Sequence, residues 1–259
     1  MIATIQDSMT MLGRELKHTQ RFPLALIGSI VVPVVMLLLF NYIFGGPIGN
    51  GLGGAAHGMP YVDFLVPGIL VMTAAAGCST TAITVCIDMT GGIIDRLRTM
   101  PVSRVALLFG HVGGNVLRTL ASTAALVGFG LLIGFRPRAS AAEWLVVFGL
   151  VAAFSFAVAW LSVAIGLASK TVAGANSSTL PITFVLPFLS SAFVPAASMP
   201  AGVRWFTENQ PFTPLVESLR ALLMGSPVGD SVYVALAWCA AIAIAGGVLA
   251  RIGFRRATA

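Results

Sequence analysis

Apolar residues gather along this chain into six stretches that are long enough, or nearly so, to cross a bilayer: 23–44, 64–87, 105–135, 144–168, 176–197 and 233–249. A helix needs roughly 20 mostly apolar residues to span the hydrocarbon core. Charged residues fall almost wholly between the stretches, as they must when an unpaired charge at mid-bilayer costs roughly 2.5–3.5 kcal/mol even on a lenient scale. No carboxylate lies well inside any of them. The pattern predicts an all-α integral membrane protein with six transmembrane helices, forming a single domain over residues 1–259.

Two other segments have a helical pattern without spanning length. Ile5, Met9, Leu12 and Leu16 recur at i, i+4, i+7 and i+11, with Asp7, Arg14, Lys17 and Arg21 mostly off that face. Residues 1–21 are therefore expected to lie as an amphipathic helix on the cytoplasmic surface. The stretch 23–44 starts too late and runs too long for a signal peptide, and is expected to remain as the first helix. Residues 199–224 are excluded as a seventh span, because Arg204, Glu208, Asn209, Gln210, Glu217 and Arg220, with breaks at Pro211 and Pro214, would sit unsatisfied in lipid. They are expected to form an extracytoplasmic re-entrant hairpin of two short helices, with Trp205, Phe206, Leu215, Leu219 and Leu222 offering an apolar side to the interface.

Composition agrees with the pattern: 57% of the residues are hydrophobic and 9% charged, against about 25% charge in a soluble domain. Lys and Arg set the orientation. With the N-terminus inside, the inner segments hold ten basic residues, Arg14, Lys17, Arg21, Arg96, Arg98, Arg104, Lys170, Arg251, Arg255 and Arg256, while the outer ones hold four, Arg136, Arg138, Arg204 and Arg220. The positive-inside bias places both termini in the cytoplasm and requires an even number of spans. The net charge of +6 is spread along these flanks rather than gathered in one patch, which argues against nucleic acid as a partner. Cys78, Cys86 and Cys239 lie in apolar runs without CxxC spacing, so they read as small buried filler rather than as a disulfide framework or metal site.

Residues 88–104, DMTGGIIDRLRTMPVSR, form a short charged loop between two long apolar stretches. A Gly-Gly entry, an amphipathic turn and a Pro stop make it too organised for a plain connector, and a segment for another protein to grip. The third stretch is unusually long and carries His111, Asn115 and Arg118 on one face, either as a polar lining or for helix packing. Arg118, well short of Phe135, is expected near the inner boundary, where its head snorkels. The fifth stretch contains Pro181, Pro187 and Pro195, each removing a backbone donor. That places it against a partner or cavity, with Phe184, Phe188 and Phe193 supplying aromatic area and Ser190 and Ser191 hydroxyls. Core packing is the competing account of those aromatics.

Several chemistries are absent by inspection. There is no GxxxxGK[ST] phosphate loop and no HExxH, and His18, His57 and His111 are scattered. No intramembrane acid serves as an ion relay, so energy for pumping is expected from another chain. The chain itself is then not an enzyme.

Along its whole length the sequence resembles the membrane subunits of ABC-2 type exporters, particularly the daunorubicin-resistance-like permeases. PGILVM (67–72) followed by GGIIDRLRTMPVSR (91–104) is similar to the family's second span and cytoplasmic coupling helix, and NQPFTPLVESLRALLMG (209–225) to the segment before its last span. The family's usual Asn-Pro pair appears here as Gln210-Pro211, with Asn209 one place earlier. The resemblance implies a dimer with a second permease copy or a paralogue, and two copies of a cytoplasmic ABC ATPase that bind ATP and Mg, this chain holding no cofactor of its own. It implies ATPase coupling through Ile94, Asp95, Arg96, Leu97, Arg98, Met100, Pro101 and Arg104, and passage of cargo between the permeases; the Pro-broken fifth stretch, with Phe184, Phe188, Ser190, Ser191 and Phe193, is the candidate for that path. The cargo expected is an amphiphilic drug or lipid-like molecule. A polysaccharide or glycolipid exporter is the near alternative, and a passive channel or ion-coupled carrier the distant one.

Overall fold

The structure, a computed structural model, describes residues 23–45, 60–91 and 104–257. The described residues are mainly helical, with no strand among them. Six long or kinked helices form the bundle: α1 (Pro23–Leu39, ending in a π turn Phe40–Phe44), α2 (Tyr61–Thr90), α3 (Arg104–Ile133), α4 (Ala141–Ala168), α5 (Val172–Leu180, continuing through a π turn Pro181–Val185 into Leu186–Phe188) and, last in the chain, α8 (Ser231–Ala257). Two short helices, α6 (Ala201–Glu208) and α7 (Phe212–Met224), precede α8. Four segments, Tyr61–Thr90, Leu108–Ile133, Ala141–Ala168 and Ser231–Phe254, are long and apolar enough to cross a membrane. The bundle is that of a multi-pass membrane protein.

Local chemistry sets the helix ends. Ser140 caps α4 by accepting from Glu143 N, while the Glu143 carboxylate accepts from Ser140 N at 2.6 Å, a reciprocal capping box. Thr171 accepts from Gly174 N at 3.1 Å and starts α5. Gly134 (φ 111°) follows α3 and Gly225 (φ 67°) ends α7, both in left-handed conformations open to glycine.

α2 is the central post. All residues of 61–75 are buried, as expected for a helix that is apolar on every side. Leu65, Ile69 and Leu70 pack with Val147, Val151 and Phe154 of α4 and with Phe212, Leu215 and Leu219 of α7. The Phe154 and Phe212 rings meet edge-on at 5.2 Å. Toward the Thr90 end of α2, glycine lets backbones approach: a Cβ on Gly166 of α4 would lie 2.6 Å from Ala82 O, and one on Gly246 of α8 would lie 2.6 Å from Leu161 N. Close contact of this kind replaces the missing hydrophobic drive between helices in lipid.

Several boundaries differ from the sequence pattern. The second helix runs past both expected ends and takes Asp63 and Asp88 into itself, each buried. The fifth ends at Phe188 rather than near 197, because Pro187 withdraws a donor and the chain turns; Pro195 instead caps a 3-10 turn at Ala196–Ser198. Trp205 and Phe206 of α6 are exposed, but Leu215, Leu219 and Leu222 of α7 are core residues rather than an interfacial face, since α7 packs its apolar side against α2 and α4. The segment 1–21 and most of the loop 88–104 lie outside the described residues.

Candidate functional site: a polar cleft and its two supports

α3 carries polar side chains along one face, and each support of the bundle begins there or opposite it. Near the Thr90 end of α2, His111 Nε2 lies 2.9 Å from Asp88 Oδ2, with both side chains nearly sealed from solvent. One turn on, Asn115 Nδ2 donates to Ser155 Oγ at 3.1 Å, and Ser155 Oγ donates to Thr119 Oγ1 at 3.1 Å. Ser155 stands at the middle of the 28-residue α4. Arg118, between Asn115 and Thr119 in sequence, is therefore level with the middle of that helix. The Asn115 and Thr119 bonds to Ser155 fix the register of α3 on α4 at that level.

At that level a cleft of about 340 Å³ opens between α1, α2, α3 and the π turn of α5. Val32, Pro33 and Met36 of α1, Met72 of α2 and Phe184 of α5 give it an apolar wall. Thr73, Thr80, Asn115, Arg118, Thr119, Ser122 and Thr183 line the rest. Thr183 Oγ1 and Asn115 Oδ1 are buried without a partner. The π turn follows from Pro181, whose missing N–H breaks the α ladder and widens the next turn.

The opposite end is tied by Arg220 of α7. Its guanidinium donates twice to Phe64 O (3.3 and 3.2 Å) and once to Ser191 O (2.9 Å), and its Cζ sits 3.7 Å from the Phe64 ring centroid. Burial pulls its pKa down to about 10, with Glu217 one turn away opposing, so it stays charged at neutral pH. Gln210 Nε2 donates to Leu186 O at 3.2 Å and Leu189 O at 2.7 Å, and Thr207 Oγ1 donates to Leu189 O at 2.7 Å. Those carbonyls are left over where α5 stops. The Gln210-Pro211 step thus caps the broken fifth helix from outside it. Asp63 Oδ1 accepts from Arg136 N at 3.0 Å and Tyr61 Oη donates to Phe193 O at 3.4 Å, closing the same end.

The expected path residues divide. Phe184 and Phe188 sit on the exposed side of α5, at 42% and 41% exposure. Ser190, Ser191 and Phe193 follow the helix in a buried turn, with Ser190 Oγ donating to Pro187 O at 2.6 Å and Phe193 stacked on Phe188 at 4.8 Å. Of the expected coupling residues, Ile94, Asp95, Arg96, Leu97, Arg98, Met100 and Pro101 lie outside the described residues, and Arg104 opens α3. Sequence reasoning missed Thr73, Thr80, Thr183, Gln210 and Arg220 as structural or lining groups. Thr119 and Ser122 were legible as the continuation of the His111, Asn115, Arg118 face.

Comparison with known proteins gives the family. The profile of ABC-2 type transporters matches residues 6–224. The daunorubicin resistance ABC transporter permease protein DrrB1 of Streptomyces coeruleorubidus is 27% identical over 222 residues, 86% of this chain and 76% of that protein. The "Probable doxorubicin resistance ABC transporter permease protein DrrC" of Mycobacterium tuberculosis is 26% identical over 254 residues, 98% of this chain and 90% of its own length. The inner membrane transport permease YadH of Escherichia coli is 32% identical over 108 residues, 40% of this chain and 41% of that one. The chain belongs to the ABC-2 type transporter family, as a multi-pass membrane subunit of an ABC transporter.

Proposed function

We propose that the chain is a six-span exporter permease of the cytoplasmic membrane, with both termini inside, that moves an amphiphilic drug or lipid-like molecule while ATP is hydrolysed by separate subunits. The four long helices are joined in this reading by α1, whose 17 helical and 5 π-turn residues reach roughly 33 Å, and by the shorter α5. Two permeases and two ATPases make the working unit. The ATPase grips 88–104 through Arg96 and Arg98, which offer charge-assisted bonds to carboxylates, with Leu97 and Met100 as the apolar contact.

The observation that carries the reading is the unpartnered side of α5. Ser177, Leu180, Pro181, Phe184 and Phe188 are exposed along a helix whose other side is packed on α2, so hydroxyl gives way to aromatic surface over its length. An amphiphile moving between two such faces would meet polar groups first and rings later. Relatives named as resistance permeases favour export of an amphiphile, whatever its charge. The test pairs the purified chain with its ABC ATPase and measures cargo-stimulated ATP hydrolysis and uptake into inverted vesicles. Arg96→Glu with Arg98→Glu should leave insertion intact and abolish both activities; undiminished co-purification and transport would reduce those arginines to topology signals.

A further inference from the structure

Arg118 is a cation level with the middle of α4, a helix long and apolar enough to cross a membrane. Its neighbours fix it level with the middle of α4, and among the described residues no hydrogen bond or ion pair reaches its guanidinium. The cleft it lines contains no carboxylate. Intramembrane ionisable groups persist where they face a cavity or meet a counter-charge, and here the cavity is present while no counter-charge stands among the described residues that line it.

The surrounding hydroxyls can donate to an anionic head group, beside the unpartnered carbonyl oxygen of Asn115. Thr119 Oγ1 accepts from Ser155, so its own proton is free to donate. Thr183 Oγ1 is buried with no partner, presented by the widened turn after Pro181. Arg118, Thr119 and Thr183 thus supply donors to one cleft. Beside them Val32, Met36, Met72 and Phe184 form an apolar wall, and the volume of about 340 Å³ is in the range for a small ligand.

We propose that the cleft between α1, α2, α3 and the π turn of α5 binds a single-chain anionic amphiphile, its head group on Arg118 and its apolar body along α1 and Phe184. The head gains charge-assisted bonds in a site with little competing water. A cationic amphiphile of the same length meets Arg118 with like charge and is rejected. The inference rests on the exporter reading only for the ligand's role as cargo; the charge preference of the cleft stands without it.

The test uses the full chain in phosphatidylcholine nanodiscs, titrated with a fluorescent dodecanoate and with the matching dodecylamine. The dodecanoate should bind at least tenfold more tightly than the amine after subtraction of empty-disc partitioning. Arg118→Gln should erase the preference, Arg118→Lys should retain most of it, and Thr183→Val should weaken dodecanoate binding severalfold without reversing the order. Equal affinity of the unaltered protein for both probes overturns the proposal, and that comparison needs no variant to fold. A preference that survives Arg118→Gln also overturns it. Displacement of dodecanoate by phosphatidylglycerol in the disc would assign the cleft to a bilayer lipid and overturn it as well. Cargo-stimulated ATP hydrolysis with the partner ATPase is read separately: a charge preference without stimulation sinks the exporter reading and leaves the site, and stimulation without a preference does the reverse.

Discussion

Replacing Arg220 should be among the most destabilising single changes at the Tyr61 end of the bundle. The guanidinium joins three elements, donating to Phe64 O on α2 and Ser191 O beyond α5 while anchored on α7. A hydrogen bond involving a charged group contributes about 1.5–3 kcal/mol net, and a partly desolvated cation–π contact about 1–2 kcal/mol. Arg220→Met keeps the stem and removes both. The desolvation cost of the guanidinium is recovered, which holds the expected loss to about 3–5 kcal/mol. Arg220→Lys keeps the charge without the planar fork and should cost about 1–2 kcal/mol. A double-mutant cycle of Phe64→Leu with Arg220→Met should show about 1 kcal/mol of coupling. SDS-induced unfolding in mixed micelles, followed by fluorescence of the four tryptophans, reads these differences. If Arg220→Met falls within about 1 kcal/mol of the unaltered protein, the bonds only repay burial of the charge, and the claim that Arg220 ties the three elements fails.

Four other outcomes are expected. His111→Ala should destabilise the chain by about 3 kcal/mol by stranding Asp88, and Asp88→Ala combined with it should cost less than the two single changes added together; strict additivity in the same unfolding assay would deny the pair any coupling. Gly166→Val should disrupt packing of α4 on α2, because its Cβ meets Ala82 O and Val85; a purified variant with unchanged midpoint would contradict that geometry. Glu143→Ala should remove the reciprocal capping box that starts α4, so hydrogen exchange of the amides of 141–144 should quicken, and unchanged exchange would deny the box a role. In a chain freed of its native cysteines, Glu208→Cys should label with an impermeant thiol reagent in intact cells while Arg96→Cys and Arg256→Cys should not, and the opposite pattern would invert the proposed orientation.

What the sequence made legible follows from physics that acts over one helix. Apolar length fixed the four long spans, since their interiors tolerate little charge, and polarity with Pro211 divided 199–224 into α6 and α7; the break expected at Pro214 is absent, because a proline in the first turn of α7 removes an N–H that has no partner within the helix. Length could not fix where α5 stops, because an apolar run looks the same before and after the turn at Leu189, and the turn depends on Gln210 and Thr207 supplying the lost partners from far along the chain. It could not reveal that Asp63 and Asp88 are buried, because a carboxylate at a span's end reads as a boundary until Arg136 N and His111 are brought to it. The level of Arg118 against α4 was hidden for the same reason. Counting from Phe135 sets its distance along α3 but not the register of α3 against α4, which Ser155 determines through Asn115 and Thr119.

Those long-range bonds also bear on how a push on the loop between α2 and α3 would travel. Asp88 and His111 join the two helices just before the loop leaves one and just after it enters the other, so force on the loop moves them as a pair rather than spreading them. α2 then carries the motion through a buried, glycine-fitted interior that cannot deform smoothly. At its far end Phe64 O is held by Arg220, which also holds Ser191 O beyond the break in α5. Displacement of α2 along this route would reach the end of the helix whose exposed face carries Phe184 and Phe188. The weakest joint is the π turn at Pro181–Val185, where the hydrogen-bond ladder is already broken. Bending there changes the cleft beside Arg118 and the exposed face of α5 together, because Thr183 and Phe184 belong to that turn. A cargo held by Arg118 in one arrangement of the turn would lose part of its wall in the other.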